Sequence, residues 1–335
     1  MFREVIQMKR IVAVSMSMIM LVGGAVSTKA YAFHMNDMEK GTEEVEYEEY
    51  REQINLENIN VVVEGDDILF RAKEDISRKE RKEARENAET LTELVNRDEN
   101  IQEMLVEHEK EESLAAIAYT QIPLQWDESG NLVRVEKETT ENMSRATTES
   151  ETGQLVNGGS PYFTLLTSVS RGTKIATGAN AGKYKYTCKT IGIWDKNSAL
   201  GGSKYPASGK DFILQATPSN MVRKSDDLYP KYSHSHDAKE GTDYFRNDGG
   251  TNFVQYSVKD DPLGTSQLQK VTLTTSCIAG AKSGRMINSY YVHTWKSMSL
   301  GVSVTVGSKE NTSLTLNPGI KDKSWTCYSY VQFDF

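Results

Sequence analysis

The sequence predicts an α+β N-terminal unit followed by an all-β C-terminal domain, an antiparallel β-sandwich or barrel. Three observations carry this reading. From Met298 the chain alternates without a slip, with Met298, Leu300, Val302, Val304 and Val306 apolar and Ser299, Gly301, Ser303 and Thr305 between them. Leu314 and Leu316 resume that period after the polar turn Gly307 to Asn311. Strict alternation suits a half-buried strand, because successive side chains point to opposite faces. Second, many short strand-like runs follow Tyr162, separated by Gly, Pro, Asn and Asp clusters, with no helical run and no βα alternation. Third, helix-start signals and helical spacing are confined to the residues before Lys137.

Taken in order, Lys9 and Arg10 precede an apolar run, Ile11 to Val26, and the small-x-small site Ala30-Tyr31-Ala32. That pattern predicts a secretory signal peptide over residues 1–32, cut after Ala32. Secretion into the extracellular space follows as the expected localisation. Residues 33–54 are Glu-rich with little to bury and are expected to form an acidic disordered arm.

A small α+β domain is expected over 55–137. Asn60 to Glu64 and Ile68 to Ala72 flank Gly65-Asp66 as a hairpin. Ser77 with Glu80 forms a capping box, followed by Ala84, Ala88, Leu91 and Val95 at helical spacing. Asp98 caps a second helix, read as carrying Ile101, Met104, Leu105 and Ala115. Tyr119 to Trp126 and Asn131 to Glu136 close the unit as strands. Residues 138–159, rich in Ser, Thr, Glu and Gly, read as a linker.

The β-domain is expected over 160–335, with strands at 162–171, 183–194, 211–216, 252–258, 270–279, 287–297, 299–306, 312–316 and 324–334.

The net charge of −8 divides unevenly. Phe33 to Thr152 holds 33 acidic and 14 basic residues, a balance of −19, and Gly153 to Phe335 holds 13 acidic and 21 basic, a balance of +8. This split predicts that the acidic N-terminal region docks on the basic β-domain, or that the basic half meets an acidic outside partner. No nucleic-acid motif organises the basic residues.

Three cysteines, Cys188, Cys277 and Cys327, share strand parity with Tyr186, Leu273 and Trp325 respectively, so all three should face inward. Three thiols cannot all pair within one chain. Neither a metalloprotease His-Glu-x-x-His, a nucleophile elbow nor a phosphate-binding loop is present. His234-Ser235-His236, followed by Asp237, can supply two imidazole ligands from one extended segment, but the spacing places no third and fourth ligand, and the stretch reads as a surface loop. Asn247-Asp248-Gly249-Gly250 and Asp260-Asp261 read as turns, with lectin-like calcium binding as the alternative. No catalytic residue, metal site or cofactor is therefore predicted.

Ser289-Tyr290-Tyr291-Val292-His293-Thr294-Trp295-Lys296, followed by a Ser/Thr-rich strand, resembles a stretch of the lactococcin-type secreted bacteriocins. The likeness covers a few per cent of the chain, and no activity is carried over from it.

The β-domain holds 12 of the 16 tyrosines together with Trp194, Trp295 and Trp325. Tyr and Trp offer stiff amphipathic surfaces that grip proteins and stack on sugars. The expected contact residues are Tyr290, Tyr291, His293, Trp295, Tyr328 and Tyr330. The expected function is a secreted non-enzymatic interaction protein binding an extracellular protein or glycan: a surface glycan, an anionic wall polymer, or a host protein such as an immunoglobulin. The alternatives are a membrane-active β-hairpin toxin and, behind it, a metal-dependent hydrolase built on His234, His236 and Asp237.

Overall fold

The computed structural model describes residues 50–128, 131–135, 161–194, 210–233, 236–260, 267–280, 285–295, 302–306, 312–316 and 324–334. The expected signal peptide, most of the acidic arm and nearly all of the expected linker lie outside them. Antiparallel sheets dominate, and they are not closed into a barrel.

In chain order the elements are β1 (Tyr50–Asn55), β2 (Ile59–Glu64), β3 (Asp67–Ala72), α1 (Arg78–Arg97), α2 (Glu99–Glu111), β4 (Leu114–Trp126) and β5 (Leu132–Arg134). After these come β6 (Tyr162–Ser170), β7 (Thr173–Lys174), β8 (Tyr184–Trp194), β9 (Lys210–Ala216), β10 (Met221–Tyr232), β11 (Tyr244–Gly249) and β12 (Phe253–Lys259). The last five are β13 (Leu268–Ala279), β14 (Arg285–Thr294), β15 (Val302–Val306), β16 (Thr312–Leu316) and β17 (Ser324–Phe333).

Sheet one runs β1-β4-β6-β8-β13-β10, with β5 on β4 and β7 on β8. Sheet two runs β11-β12-β9-β14-β17. Two separate hairpins, β2-β3 and β15-β16, complete the set. The sheets face each other over two clusters of buried residues. One holds Phe163, Leu165, Ile213, Val254, Val271, Leu273, Tyr291 and Trp325. The other holds Tyr186, Cys188, Cys277, Ile287, Val331 and Phe333. This is the expected sandwich, and all three cysteines are buried free thiols within it.

The N-terminal stretch is joined to the sandwich more closely than its composition suggests. Strands β4 and β6, on either side of the expected linker, are hydrogen-bonded neighbours from Leu114↔Ser170 to Pro123↔Tyr162. Residues 50–54, expected at the end of the acidic arm, form β1 together with Asn55 and pair with β4. Ala115, assigned from sequence to the second helix, lies in β4 instead; α2 stops at Glu111. A continuous apolar run such as Leu114–Tyr119 does not distinguish a buried strand from a buried helix turn.

Both helix starts follow the sequence signals. The Ser77 hydroxyl accepts from the Glu80 amide at 3.3 Å while the Glu80 carboxylate accepts from the Ser77 amide at 3.0 Å, the reciprocal capping box. Asp98 caps α2 by accepting from the Asn100 amide at 2.8 Å. The helices and the β2-β3 hairpin lie on the outer face of sheet one. Leu91, Leu94, Ile101 and Leu105 share a core there with Ile117, Leu166, Ile191 and Ile193.

Charge reinforces that seat. Glu103 meets Lys270 at 2.6 Å, Glu107 and Glu111 meet Lys189 at 3.4 and 2.8 Å, and Glu112 meets Lys185 at 3.4 Å. Lys189 and Lys270 are buried while their α2 partners stay largely exposed. The sequence's charge split thus has a local counterpart, an acidic helix set on a lysine row. A buried ammonium requires such partners, because desolvation without them is costly.

On the sandwich flank, β17 leaves one edge without a strand partner in sheet two. Side chains from sheet one occupy it. Gln53 donates to the Gln332 carbonyl at 2.8 Å and accepts from its amide at 3.0 Å. Thr120 donates to the Tyr328 carbonyl at 2.7 Å, and Arg134 to the Thr326 carbonyl at 2.8 Å. Satisfying these groups blunts an edge that would otherwise recruit another strand.

Beneath α2, His108 is wholly buried, with Nδ1 2.8 Å from the Ser168 hydroxyl. Burial, and secondarily the nearby Lys189 ammonium, push its pKa down from 6.5 to about 3. The folded state therefore holds a neutral imidazole, while the unfolded chain takes up a proton near pH 6.5. Its contribution to stability is complete above that pH and is lost as pH falls toward about 3. Denaturant unfolding at pH 7, 5 and 4 should show His108→Gln losing less stability on acidification than the wild type. The difference should approach about 1.4 kcal/mol per pH unit; equal slopes would refute the assignment.

Candidate functional site

The site is built where β9, β12 and β14 end side by side. Pairing of β9 with β14 places Phe212 opposite Val292, so Asp211 and His293 are the next facing positions. Pairing of β9 with β12 places Asp211 opposite Val258, and Asp260 follows two residues later on the same face. All three side chains point between the sheets, on the parity of Ile213, Tyr256 and Tyr291. Each is buried, Asp211 and Asp260 with 0 % of their surface exposed and His293 with 3 %.

Their donor atoms converge. His293 Nδ1 lies 2.8 Å from Asp211 Oδ1 and 4.0 Å from Asp260 Oδ2. One ligand atom from each of the three lies within 4.8 Å of the others. Around them runs a polar second layer. The Tyr291 hydroxyl donates to Asp211 Oδ2, the Thr294 amide donates to Asp211 Oδ1 at 3.1 Å, and the Trp194 indole donates to the Tyr291 hydroxyl at 3.3 Å. Burial, then the neighbouring carboxylates of Asp211 and Asp260, hold the Tyr291 phenol well above its usual pKa, so it remains a donor.

Aromatic rings wall the cluster. His293 lies 4.8 Å from Trp194 and 5.2 Å from Trp325, centroid to centroid. Trp194 and Trp325 stand 5.4 Å apart, and Phe163 packs at 4.4 Å on Tyr291. Gly192 makes this closeness possible. A Cβ there would lie 2.9 Å from Phe163 and 3.0 Å from Tyr291.

The six expected contact residues divide between two faces. Tyr291 and His293 point inward, into this cluster, and are buried. Half-buried Trp295 sits just past β14, with its ring 6.1 Å from that of His293. Tyr290, Tyr328 and Tyr330 are on the opposite, outer face of sheet two. There Tyr290 stacks on Tyr328 at 4.6 Å, and Tyr328 meets Tyr330 at 5.7 Å. The Tyr328 hydroxyl is 2.5 Å from Asn288 Oδ1. Tyr290 is buried, whereas Tyr328 and Tyr330 keep part of their surface exposed.

Asp211 was not picked out by sequence, and Asp260 was read as a turn residue with calcium binding as the alternative, without His293 or Asp211 as its partners. The available signal was parity: Asp211 shares its face with Ile213, and Asp260 shares its face with Val254, Tyr256 and Val258. A charged residue on the inward phase of an apolar strand needs a partner there. His236, from the expected His-x-His pair, has its Nε2 2.9 Å from Asp243 Oδ2; His234 lies outside the described residues. Asn247 accepts from the Ser257 hydroxyl at 3.0 Å, a sheet contact within the expected turn.

The architecture defines the class: an antiparallel two-sheet β structure with a helical pair on one outer face. No family model matches the chain, and no curated protein matches it. Solved structures similar to it include one from work on pH-induced modulation of Streptococcus parasanguinis adhesion by Fap1 fimbriae. That chain is 10 % identical with a TM-score of 0.24, over 51 % of this chain and 80 % of that one. A pore-forming protein is 10 % identical with a TM-score of 0.25, over 52 % of this chain and 87 % of that one. The full-length major pilin SpaD of Corynebacterium diphtheriae is 12 % identical with a TM-score of 0.25, over 61 % of this chain and 48 % of that one. At these scores the likenesses carry no argument about function.

Tight ring packing gives a direct check. Gly192→Ala should destabilise the protein by about 1–3 kcal/mol, the cost of overpacking a filled core. Gly250→Ala, where a Cβ meets nothing within 4 Å, should fall within about 0.5 kcal/mol of wild type. Urea midpoints of both variants test this, and equal midpoints would contradict the packing described.

Proposed function

We propose that the chain is a non-enzymatic extracellular binding protein, with the partly exposed tyrosines of β17, Tyr328 and Tyr330, in its contact surface. The observation that supports this most is the pair Tyr328 and Tyr330, ring centroids 5.7 Å apart and partly exposed on the face turned away from sheet one, with buried Tyr290 packed behind Tyr328 at 4.6 Å. Such rings present flat apolar area with a polar rim at low entropic cost, which suits sugar stacking and protein contact. Sheet one's outer face is already occupied by α1, α2 and the β2-β3 hairpin. The partner classes that fit are a surface glycan, an anionic wall polymer, or a host protein such as an immunoglobulin.

Secretion is part of the proposal and rests on the signal-peptide pattern over residues 1–32. The membrane-active reading draws little support from the β15-β16 hairpin, whose described residues form strands of five residues each. A strand needs roughly 9–11 residues to span a bilayer. Among the described residues no helix is long and apolar enough to cross a membrane.

The test is retention of the exported chain on immobilised glycans, anionic wall polymer and immunoglobulin, compared with a Tyr328→Ala/Tyr330→Ala double variant. Wild type should be retained on one class, and the double variant, folded at the assay temperature by circular dichroism, should bind that class at least about tenfold more weakly, as loss of an aromatic anchor does. Retention that the double variant matches would place the contact surface elsewhere; no retention on any class would refute the reading.

A further inference from the structure

The geometry points to a structural metal site: Asp211, Asp260 and His293 bind one divalent transition-metal ion of the zinc or manganese type at the end of the sandwich. Two carboxylates with no exposed surface face one imidazole. Even a protonated His293 supplies one positive charge against two negative ones. Buried charge is tolerated where it is compensated by a partner or a metal, and a dication balances this set with a neutral imidazole as ligand.

The spacing suits that ion. Donors about 2.1 Å from a tetrahedral metal stand about 3.4 Å from one another. The two distances from His293 Nδ1, 2.8 Å to Asp211 and 4.0 Å to Asp260, bracket that value. Binding would replace the Nδ1 proton shared with Asp211 by the metal and draw Asp260 inward by a few tenths of an ångström. The surrounding donors fit as well. Tyr291 and the Thr294 amide already hold Asp211, and ligating carboxylates are characteristically oriented by such outer hydrogen bonds. One nitrogen and two oxygens favour zinc or manganese over calcium, which prefers an all-oxygen shell. The ion would tie together three strands, β9, β12 and β14, that the chain brings to one end of sheet two.

The experiment uses the full exported chain without an affinity tag, stripped with a chelator and titrated calorimetrically with Zn2+ and Mn2+. One equivalent should bind, and the melting midpoint should rise with metal concentration. Asp260→Asn, close in shape, should weaken binding by more than about 100-fold, a larger loss than outer-shell changes cause. A His234→Gln/His236→Gln variant should bind as the wild type does. X-ray absorption on the zinc-loaded wild type should show a single imidazole and oxygen donors, a readout that does not depend on any variant folding. Absence of binding by the stripped wild type overturns the inference. So does binding lost only in the His234→Gln/His236→Gln variant, or a zinc shell with two or more imidazoles.

Discussion

Strand β4 is buried on both faces along nearly its whole length, and the architecture follows from what that demands. A strand dry on both sides needs a ladder on each edge and a layer on each face. β1 and β6 supply the edges. Helices α1 and α2 supply the outer layer, through Ile117 and Tyr119 packed with Leu91 and Leu105. Sheet two supplies the inner layer, where Ala116 and Ala118 join Ile287 and Val331. The small alanines let β17 come close enough for Thr120 to reach the Tyr328 carbonyl. Composition changes sharply near residue 137, yet folding fuses the stretches on either side of it, because neither could cover β4 without the other.

Between the sheets the core is not purely apolar. Gln215 on β9 donates to Thr190 at 2.6 Å and accepts from Thr275 at 2.6 Å, while Ser289 on β14 lies within 2.8 Å of both Thr167 and Thr190. These contacts cross from sheet two to three strands of sheet one. Such a network is tolerable only when its members are satisfied, and its directionality then fixes how the sheets register. A one-residue slip of β9 would turn Gln215 and Asp211 outward together and bury Lys210. The polar network and the Asp–His–Asp cluster therefore act as two pins on one register, one at mid-sheet and one at its end.

Much of the fold was legible because most strands carry their own signal. β6, β8, β12, β13 and β17 are bounded by turn residues and rich in aromatic or β-branched side chains, and both helices announce their caps through Ser77 and Asp98. Four strands were hidden, one of them the two-residue β7. β10 contains Arg223-Lys224-Ser225-Asp226-Asp227 and Pro230, which read as loop, but it is an edge strand bonded only to β13. An edge tolerates proline and charge. Its Asp226 holds Arg223 at 2.7 Å and Arg246 of β11 at 3.0 Å, so the charges that disguise it tie the two sheet edges together. β11 and β1 are polar edge strands of the same kind. The candidate cluster was illegible for a different reason. Positions 211, 260 and 293 make no local motif; only the pairing of three strands brings them together, and no spacing within the sequence encodes that pairing.

The two outer faces of the sandwich have different chemistry, and that difference bears on function. Sheet one's outer face carries Lys189 and Lys270, both buried against the glutamates of α2; its charge is consumed internally. The basic excess of the C-terminal half therefore overstates what an outside partner would meet, since part of it neutralises the helix. Sheet two's outer face buries Phe212, Leu214, Tyr290 and Val292 and leaves Tyr328 and Tyr330 of β17 partly exposed, with aromatic rings where the other face has ammonium groups. A partner at that face would be recognised by stacking and hydrogen bonding more than by charge, and salt would weaken its binding little. A partner selected by charge would have to compete with α2 for the lysine row, against both the ion pairs and the apolar contacts beneath them. The structure thus separates two ideas that composition alone merges, an aromatic surface and a basic one, and ties the basic residues to internal cohesion.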